Sequence, residues 1–279
     1  MKRVLLTLRF DGGAFYGWQA QAGGNTVQQT VQDAVQSVFG ERLGVTGCGR
    51  TDSGVHALGY CCHIDIREDF DSERLLFALN RYFGAHKTPI AVTNVREVYD
   101  EDFHARYYIR TKEYIYKIQT GRYKDPFCSG RALFYHKPLN LEKMRGAAAC
   151  IVGKRNFAAF MGDKSDIPID EAVRNVTNIT IDRLEYTDNI VVIAMEADGF
   201  LYKMARIIAG TLLEVSEGKI NVNDLPEIIA SRQRNRTGRT LPPHGLYLNK
   251  IDYMTRTEYL KKIQDYMDYT ENYAGKQDD

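Results

Sequence analysis

Nine consecutive residues, Gly49-Arg50-Thr51-Asp52-Ser53-Gly54-Val55-His56-Ala57, set a carboxylate on a glycine-bracketed turn between two strand-like runs. Glycines at 47, 49 and 54 admit left-handed or closely approached backbone. Thr51 and Ser53 offer short hydroxyls, and Arg50 places a cation two residues from the acid. Such a turn presents Asp52 instead of burying it, and a presented carboxylate acts as a nucleophile or a general base. An isolated Thr-Asp-Ser-Gly reads as a solvated turn whose Asp bonds its own backbone; nine ordered residues go beyond that. Asp52-Ser53-Gly54 also satisfies the Asp-Ser/Thr-Gly core of aspartic proteases, but that chemistry needs two carboxylates sharing a proton. The chain has a single such triplet, and Gly49-Arg50 stands where an apolar strand would be required.

Two further positions carry chemistry. Arg206 lies among Met204, Ala205, Ile207 and Ile208, so it is expected to be buried and to need a partner. Tyr114 and Tyr116 share one side of a predicted strand. With 18 tyrosines in the chain, neither signals a site by its type alone, and Tyr116 reads equally as core or site. Two basic runs suit phosphate contacts: Arg232, Arg234, Arg236 and Arg239 around Gly238, and Arg106, Arg110, Lys112 and Lys117 near the tyrosines. The net charge is only +1, which excludes a uniformly basic coat, so a polyanion must be met locally.

The elements that must position these residues are mixed along the chain. Residues 3–10 alternate as a strand, and Thr26 to Phe39 carries Val27, Val31, Val35 and Val38 at helical spacing before Gly40. Strands are predicted at 44–50, 59–66 and 91–98, with a helix capped by Asp71 running to about Phe83. The pattern then restarts. A strand covers 111–119, Asn140 caps a helix to Val152, strands 174–186 and 189–197 form a hairpin at Asp188-Asn189, and a helix runs from Phe200 to Glu214. Two halves of strands plus two helices predict an α+β fold, helices packed against a mostly antiparallel sheet. The divide falls near residues 100–110, giving half-domains 1–103 and 104–253 and a helical tail, 254–279, with a polar end.

Length and composition set the class. The 279 residues, 44% hydrophobic and 26% charged, suffice for one large or two smaller cores. No apolar run approaches the ~20 residues of a membrane span, and the basic start Met1-Lys2-Arg3 leads into a strand, not a signal peptide. Five cysteines without Cys-x-x-Cys suggest neither a disulfide framework nor zinc, so a reducing cytoplasm fits best. Phosphate-binding loops, dinucleotide fingerprints, His-Glu-x-x-His and Gly-x-Ser-x-Gly are absent, and the six histidines show no ligand spacing. No metal, nucleotide or organic cofactor is expected.

The nine residues around Asp52 resemble the Gly-Arg-Thr-Asp-Ala-Gly-Val-His-Ala signature of tRNA pseudouridine synthases of the TruA type, with Ser53 in place of Ala. Matching segments recur in the family's order from Phe10 to Leu248, about nine-tenths of the chain. They include Tyr16-Gly17-Trp18-Gln19, Phe103-His104-Ala105-Arg106, Lys112-Glu113-Tyr114-Ile115-Tyr116 and Asn156-Phe157-Ala158-Ala159-Phe160. Val173-Arg174-Asn175-Val176, Phe200-Leu201-Tyr202-Lys203-Met204-Ala205-Arg206 and Pro242-Pro243-His244-Gly245-Leu246-Tyr247-Leu248 complete the series. Lys203 stands where the family commonly has His, Ala205 and Ile207 replace the usual Val and Asn, and the run 236–243 departs from Ala-Gly-x-Thr-Ala-Pro. The tail from Met254 extends past the family's usual end.

What the resemblance implies is specific. The half-domains share one continuous sheet, with a cleft for RNA between them. Asp52 is the catalytic acid, Arg206 pairs with it, and Tyr114 stacks on the target base. Arg50 fills the space of the flipped nucleotide or holds its phosphate, and Leu246 lines the pocket. Arg106 and Arg236 belong to the basic runs that meet the substrate, and His56 contacts RNA or orients the turn. The implied activity is isomerisation of uridine to pseudouridine at tRNA positions 38, 39 and 40, by a homodimer with a tRNA spanning both subunits. The alternative is a relative that binds or escorts tRNA without chemistry; the intact Asp52, Tyr114 and Arg206 argue against it.

Overall fold

The computed structural model describes residues 1–184 and 187–274. The first strand, β1 (Lys2–Phe10), follows the predicted alternation, and α1 (Val27–Phe39) is closed at both ends as its sequence requires. Thr26 accepts from the Gln29 amide at the start, and Gly40 ends the helix in the left-handed conformation. The face of α1 carrying Val27, Val31 and Val35 is fully buried, each valine contributing roughly 1.5–3 kcal/mol. The next elements are β2 (Thr46–Gly47), β3 (His56–Ile66), α2 (Ser72–Ala85) and β4 (Ile90–Val98). β3 starts at His56, three residues before the prediction, because the Asp52 turn leads straight into it.

The second half contains β5 (Ile109–Thr120), β6 (Leu133–Tyr135), α3 (Leu141–Ile151), β7 (Gly153–Asn156), β8 (Val173–Leu184) and β9 (Thr187–Ala197). β8 and β9 pair antiparallel as predicted, but β9 already begins at Thr187, ahead of the expected turn at Asp188-Asn189. The connection therefore falls on 185–186, outside the described residues, as does the polar end at 275–279. The helices α4 (Met204–Ser216) and α5 (Leu225–Ser231), the strand β10 (Leu246–Tyr253) and the tail helix α6 (Arg256–Ala274) complete the chain. α4 starts four residues later than its periodicity suggests, since Lys203 takes a left-handed φ of 59° ahead of it.

Among the described residues the strands form a single sheet in the order β4-β1-β3-β10-β5-β9-β8-β7, with β2 beside β3 and β6 beside β5. The pairing is antiparallel except at β10–β3 and β5–β6. The late strand β10 is thus inserted between the halves, where it pairs Tyr247 and Leu248 with His56 and Ala57 on one side and Leu246 and Leu248 with Tyr116 and Tyr114 on the other. This insertion makes the sheet continuous.

Two apolar cores flank that seam. One gathers β1, β3, α1 and α2, and takes Leu248 from β10. The other gathers β5, β8, β9, α3, α4 and α5, and takes Leu246 from β10 and Val55 from the Asp52 turn. Tyr114 packs against both. α6 is anchored on the first core by Tyr259, which stacks on Tyr108 with ring centroids 3.9 Å apart, and by Glu258, 2.6 Å from Arg110.

Candidate active site

The turn that carries Asp52 is held from several sides. Its base is fixed by the Tyr60 hydroxyl, which donates to the Gly49 carbonyl at 2.6 Å, and by Lys112 Nζ, which donates to the Cys48 carbonyl at 2.8 Å. Trp18 stacks on Tyr60 at 4.1 Å, and its backbone N–H donates to the Thr51 carbonyl at 3.2 Å. The Val55 N–H closes the turn onto the Asp52 carbonyl, also at 3.2 Å. Gly54 has φ 80°, and a Cβ there would lie 3.0 Å from Pro243, so both the conformation and the close approach call for glycine.

His56, immediately after the turn, is 2% exposed. Its Nδ1 accepts from the Gly12 N–H at 3.1 Å, and its Nε2 lies 3.0 Å from the Gly130 carbonyl and 3.2 Å from that of His244. The ring also stacks on Tyr247 at 4.6 Å. Nδ1 also lies 3.1 Å from Asp11 Oδ1, so both ring nitrogens are engaged by the protein. Burial, the largest influence, pushes the His56 pKa below its usual value, keeping the ring neutral. The ring is thus enclosed at the base of the turn, held at both nitrogens and on one face.

Arg206 approaches from the opposite core. Its Nη1 donates to Asp52 Oδ2 at 2.8 Å, and its Nε donates to the Leu241 carbonyl at 2.7 Å. The Arg206 side chain is 12% exposed and that of Asp52 30%. The guanidinium is therefore aimed by a main-chain acceptor and meets one carboxylate oxygen. Asp52 Oδ1 has no protein partner among the described residues.

Tyr114 sits on β5 opposite Leu248, partly exposed, with Phe200 edge-on to its ring at 5.0 Å. Its phenol pKa is raised, chiefly by burial, then by Cys48 and by the Asp52 carboxylate. The phenol is thus neutral and lies within the field of the acid. Tyr116 is fully buried, donates to the Pro242 carbonyl at 2.8 Å, and belongs to the core. Leu246 is 5% exposed beside it, on the same strand that brings Leu248 to Tyr114.

The basic residues sort into distinct groups. Arg50 and Arg106 are exposed, and their guanidinium groups have no partner among the described residues. Arg236 instead pairs with Glu227 at 2.9 Å. Lys112, grouped by sequence with phosphate contacts, is partly buried beneath the Asp52 turn, and Arg110 is committed to Asp252 and Glu258. Lys117 sits 4.3 Å over the Tyr247 ring. Sequence reasoning missed Tyr60, Lys112 and Phe200 as supports of the site. The one available signal was the lone Trp18, whose loop supports Tyr60. Among the described residues, no group of three His, Cys, Asp or Glu side chains is arranged to hold a metal, and no helix is long and apolar enough to cross a membrane.

Comparison with known proteins places this geometry. A family model described as tRNA pseudouridine synthase matches residues 7–108 and 147–254, which carry Asp52 and Arg206 respectively. The tRNA pseudouridine synthase A of Acetivibrio thermocellus is 38% identical over 253 residues, 91% of this chain and 100% of its own length. That of Ruminiclostridium cellulolyticum is 36% identical over the same shares, and that of Shouchella clausii 38% identical over 91% of this chain and 94% of its own. An acid and a cation brought together from two separately matched segments, in a chain that its relatives follow almost end to end, leave one assignment: this chain belongs to the tRNA pseudouridine synthase family.

Proposed function

We propose that this chain isomerises uridine to pseudouridine in the anticodon stem-loop of tRNA, at positions 38, 39 and 40. The reaction breaks the N1–C1' bond, turns the uracil and joins C5 to C1'; the C5 proton is lost, N1 gains one, and no electrons are exchanged. A carboxylate can begin it by attacking C1', by attacking C6, or by removing the 2' proton. The observation that carries the reading is the 2.8 Å contact between Asp52 and Arg206, with Tyr114 beside it.

In this reading Asp52 starts the reaction through Oδ1, while Arg206 offsets the desolvation that a nucleobase imposes on the acid. Tyr114 holds the detached uracil by stacking, worth roughly 1–3 kcal/mol. Extruding the nucleotide costs a few kcal/mol, and the unpaired Arg50 takes its place or its phosphate. Arg106 meets the backbone, Arg236 does so at the edge of its own run, and Leu246 supplies apolar wall behind Tyr116.

The working form is a homodimer in the cytoplasm, organised as half-domains 1–103 and 104–253 with the tail 254–279. A net charge of +1 per chain supports shared phosphate contacts, and five free cysteines support a reducing compartment. The test is chemical mapping of pseudouridine in unmodified tRNA after incubation with the wild type and with Asp52→Ala. Product at 38–40 from the wild type alone is expected. Product elsewhere overturns the substrate assignment, and binding without product in both proteins favours a non-catalytic tRNA binder.

A further inference from the structure

The geometry points to a phosphate subsite for the RNA backbone in the hollow between the start of α4 and residues 233–240, with Lys203 and Arg234 as its cations. This inference deepens the proposed function and rests on it. The hollow measures about 590 Å³, and Asp163, Lys203, Gln233, Arg234, Asn235 and Thr240 line it.

In the sequence the four arginines of this run look alike. In the fold, Arg232 is paired with Asp170 at 2.5 Å, Arg236 with Glu227 at 2.9 Å, and Arg239 with Glu214 at 3.2 Å and Glu217 at 2.8 Å. Arg234 has no carboxylate partner among the described residues. Its Nη1 donates to Thr237 Oγ1 at 2.9 Å and to the Gly238 carbonyl at 3.0 Å, and its Nη2 donates to Thr240 Oγ1 at 2.9 Å. Neutral acceptors fix the direction of a guanidinium without cancelling its charge, which is what recognition of a phosphate oxygen requires.

Lys203 adds the second charge. Its ammonium lies 4.8 Å from the Tyr202 ring and has no carboxylate partner among the described residues. Its φ of 59° is a left-handed conformation that a side-chain-bearing residue adopts under strain, and such strain gathers where a position is used. The one acid of the lining, Asp163, is exposed and forms no ion pair with either cation, so the hollow stays cationic. The first turn of α4 adds its own partial positive charge. The hollow is also tied to the catalytic pair: Lys203 precedes Arg206 by three residues, and Thr240 precedes Leu241, whose carbonyl accepts from Arg206. A phosphate bound here holds a neighbouring nucleotide in register with the reacting one.

The test uses the full chain with unmodified tRNA, comparing wild type, Lys203→Ala, Lys203→Glu and Arg234→Lys, with thermal midpoints confirming that each folds. Lys203→Ala is expected to raise KM severalfold at constant kcat and to lower the slope of log Kd against log salt by about 1. Lys203→Glu should do more, and Arg234→Lys should weaken binding although charge is kept. Unchanged KM and salt slope in both Lys203 variants, with an active wild type, overturn the subsite and leave the parent reading standing. A wild type that makes no pseudouridine overturns the parent reading and the RNA assignment together. Inorganic phosphate is added at constant ionic strength to separate the two sources of the anion. If it binds in a Lys203-dependent way while tRNA binding ignores Lys203, the hollow is a free-anion site and the RNA assignment fails.

Discussion

The Asp52 turn and the Arg206 helix reach the same point by opposite means. The turn is a local device: glycine geometry, short backbone hydrogen bonds and the side chains of Trp18, Tyr60, His56 and Lys112 hold a 30% exposed carboxylate. The helix is a core element, buried along most of its length, that brings up a 12% exposed guanidinium tied to a main-chain carbonyl. The acid is therefore replaceable without loss of packing, whereas the cation is not. Chemistry and stability should separate at Asp52 and fall together at Arg206.

The largest expected effect is at the acid. Asp52→Asn keeps the shape and a hydrogen-bond acceptor for Arg206, and should lower pseudouridine formation by roughly 10⁴-fold, the upper end of what one positioned acid or base supplies. Its urea midpoint should stay close to wild type. A variant that keeps even a tenth of the wild-type rate, about 1.4 kcal/mol of barrier, would remove Asp52 from the chemistry.

Arg206→Ala comes next, with a rate loss of roughly 10²–10³-fold, typical of one lost charge-stabilising donor. It should also cost about 1–3 kcal/mol of stability, because the Leu241 carbonyl and Asp52 Oδ2 lose their donor. Equal unfolding midpoints for Arg206→Ala and Asp52→Asn would break the contrast between helix and turn. Tyr114→Ala should reduce kcat/KM about 5- to 150-fold, the equivalent of 1–3 kcal/mol of base stacking. Tyr114→Phe isolates the hydroxyl, and a loss as large as that of Tyr114→Ala would assign the role to the phenol oxygen instead of the ring.

A pH effect sharpens the same contrast, since the first half is braced by neutral histidines. His63 is 6% exposed, and its Nδ1 accepts the Ala105 N–H at 3.1 Å. Burial first, then Arg3 and His104, lower its pKa from 6.5 to about 4. Between those values the unfolded chain binds a proton that the folded chain excludes, so stability falls as pH drops through that window. The loss should reach on the order of a few kcal/mol by pH 4. It is read from urea midpoints at pH 7 and 4.5; His63→Gln should flatten the profile, and an equally steep profile in that variant would put the acid sensitivity elsewhere. The smallest effect is expected at Arg50, where Ala should weaken tRNA binding alike across sequences and lower the salt slope by about 1.

Much of the fold was legible because its signals are local. The valine spacing of α1 from Thr26 to its end at Gly40, the Asp71 cap of α2 and the Asn140 cap of α3 were all read at or near their true ends. The misplaced boundaries have non-local causes. β3 extends back to His56, where the end of the Asp52 turn meets its partner β10, and α4 starts late because Lys203 takes a left-handed φ ahead of it. The placement of β10 at the seam had no local signal, since a strand at the end of the chain gives no sign of which neighbours it will join.

The sequence by itself determined the acid-bearing turn, the order of the elements and the presence of an arginine that would need a partner. Backbone torsion preferences and apolar spacing are written in neighbouring residues. The pairing of Asp52 with Arg206, implied by the family resemblance, is met at 2.8 Å across 154 residues; only the tertiary structure decided that Tyr114 touches both cores, and that of four neighbouring arginines three are neutralised and Arg234 is not. Compensation of a charge depends on which distant carboxylates folding delivers, and no stretch of local sequence carries that information.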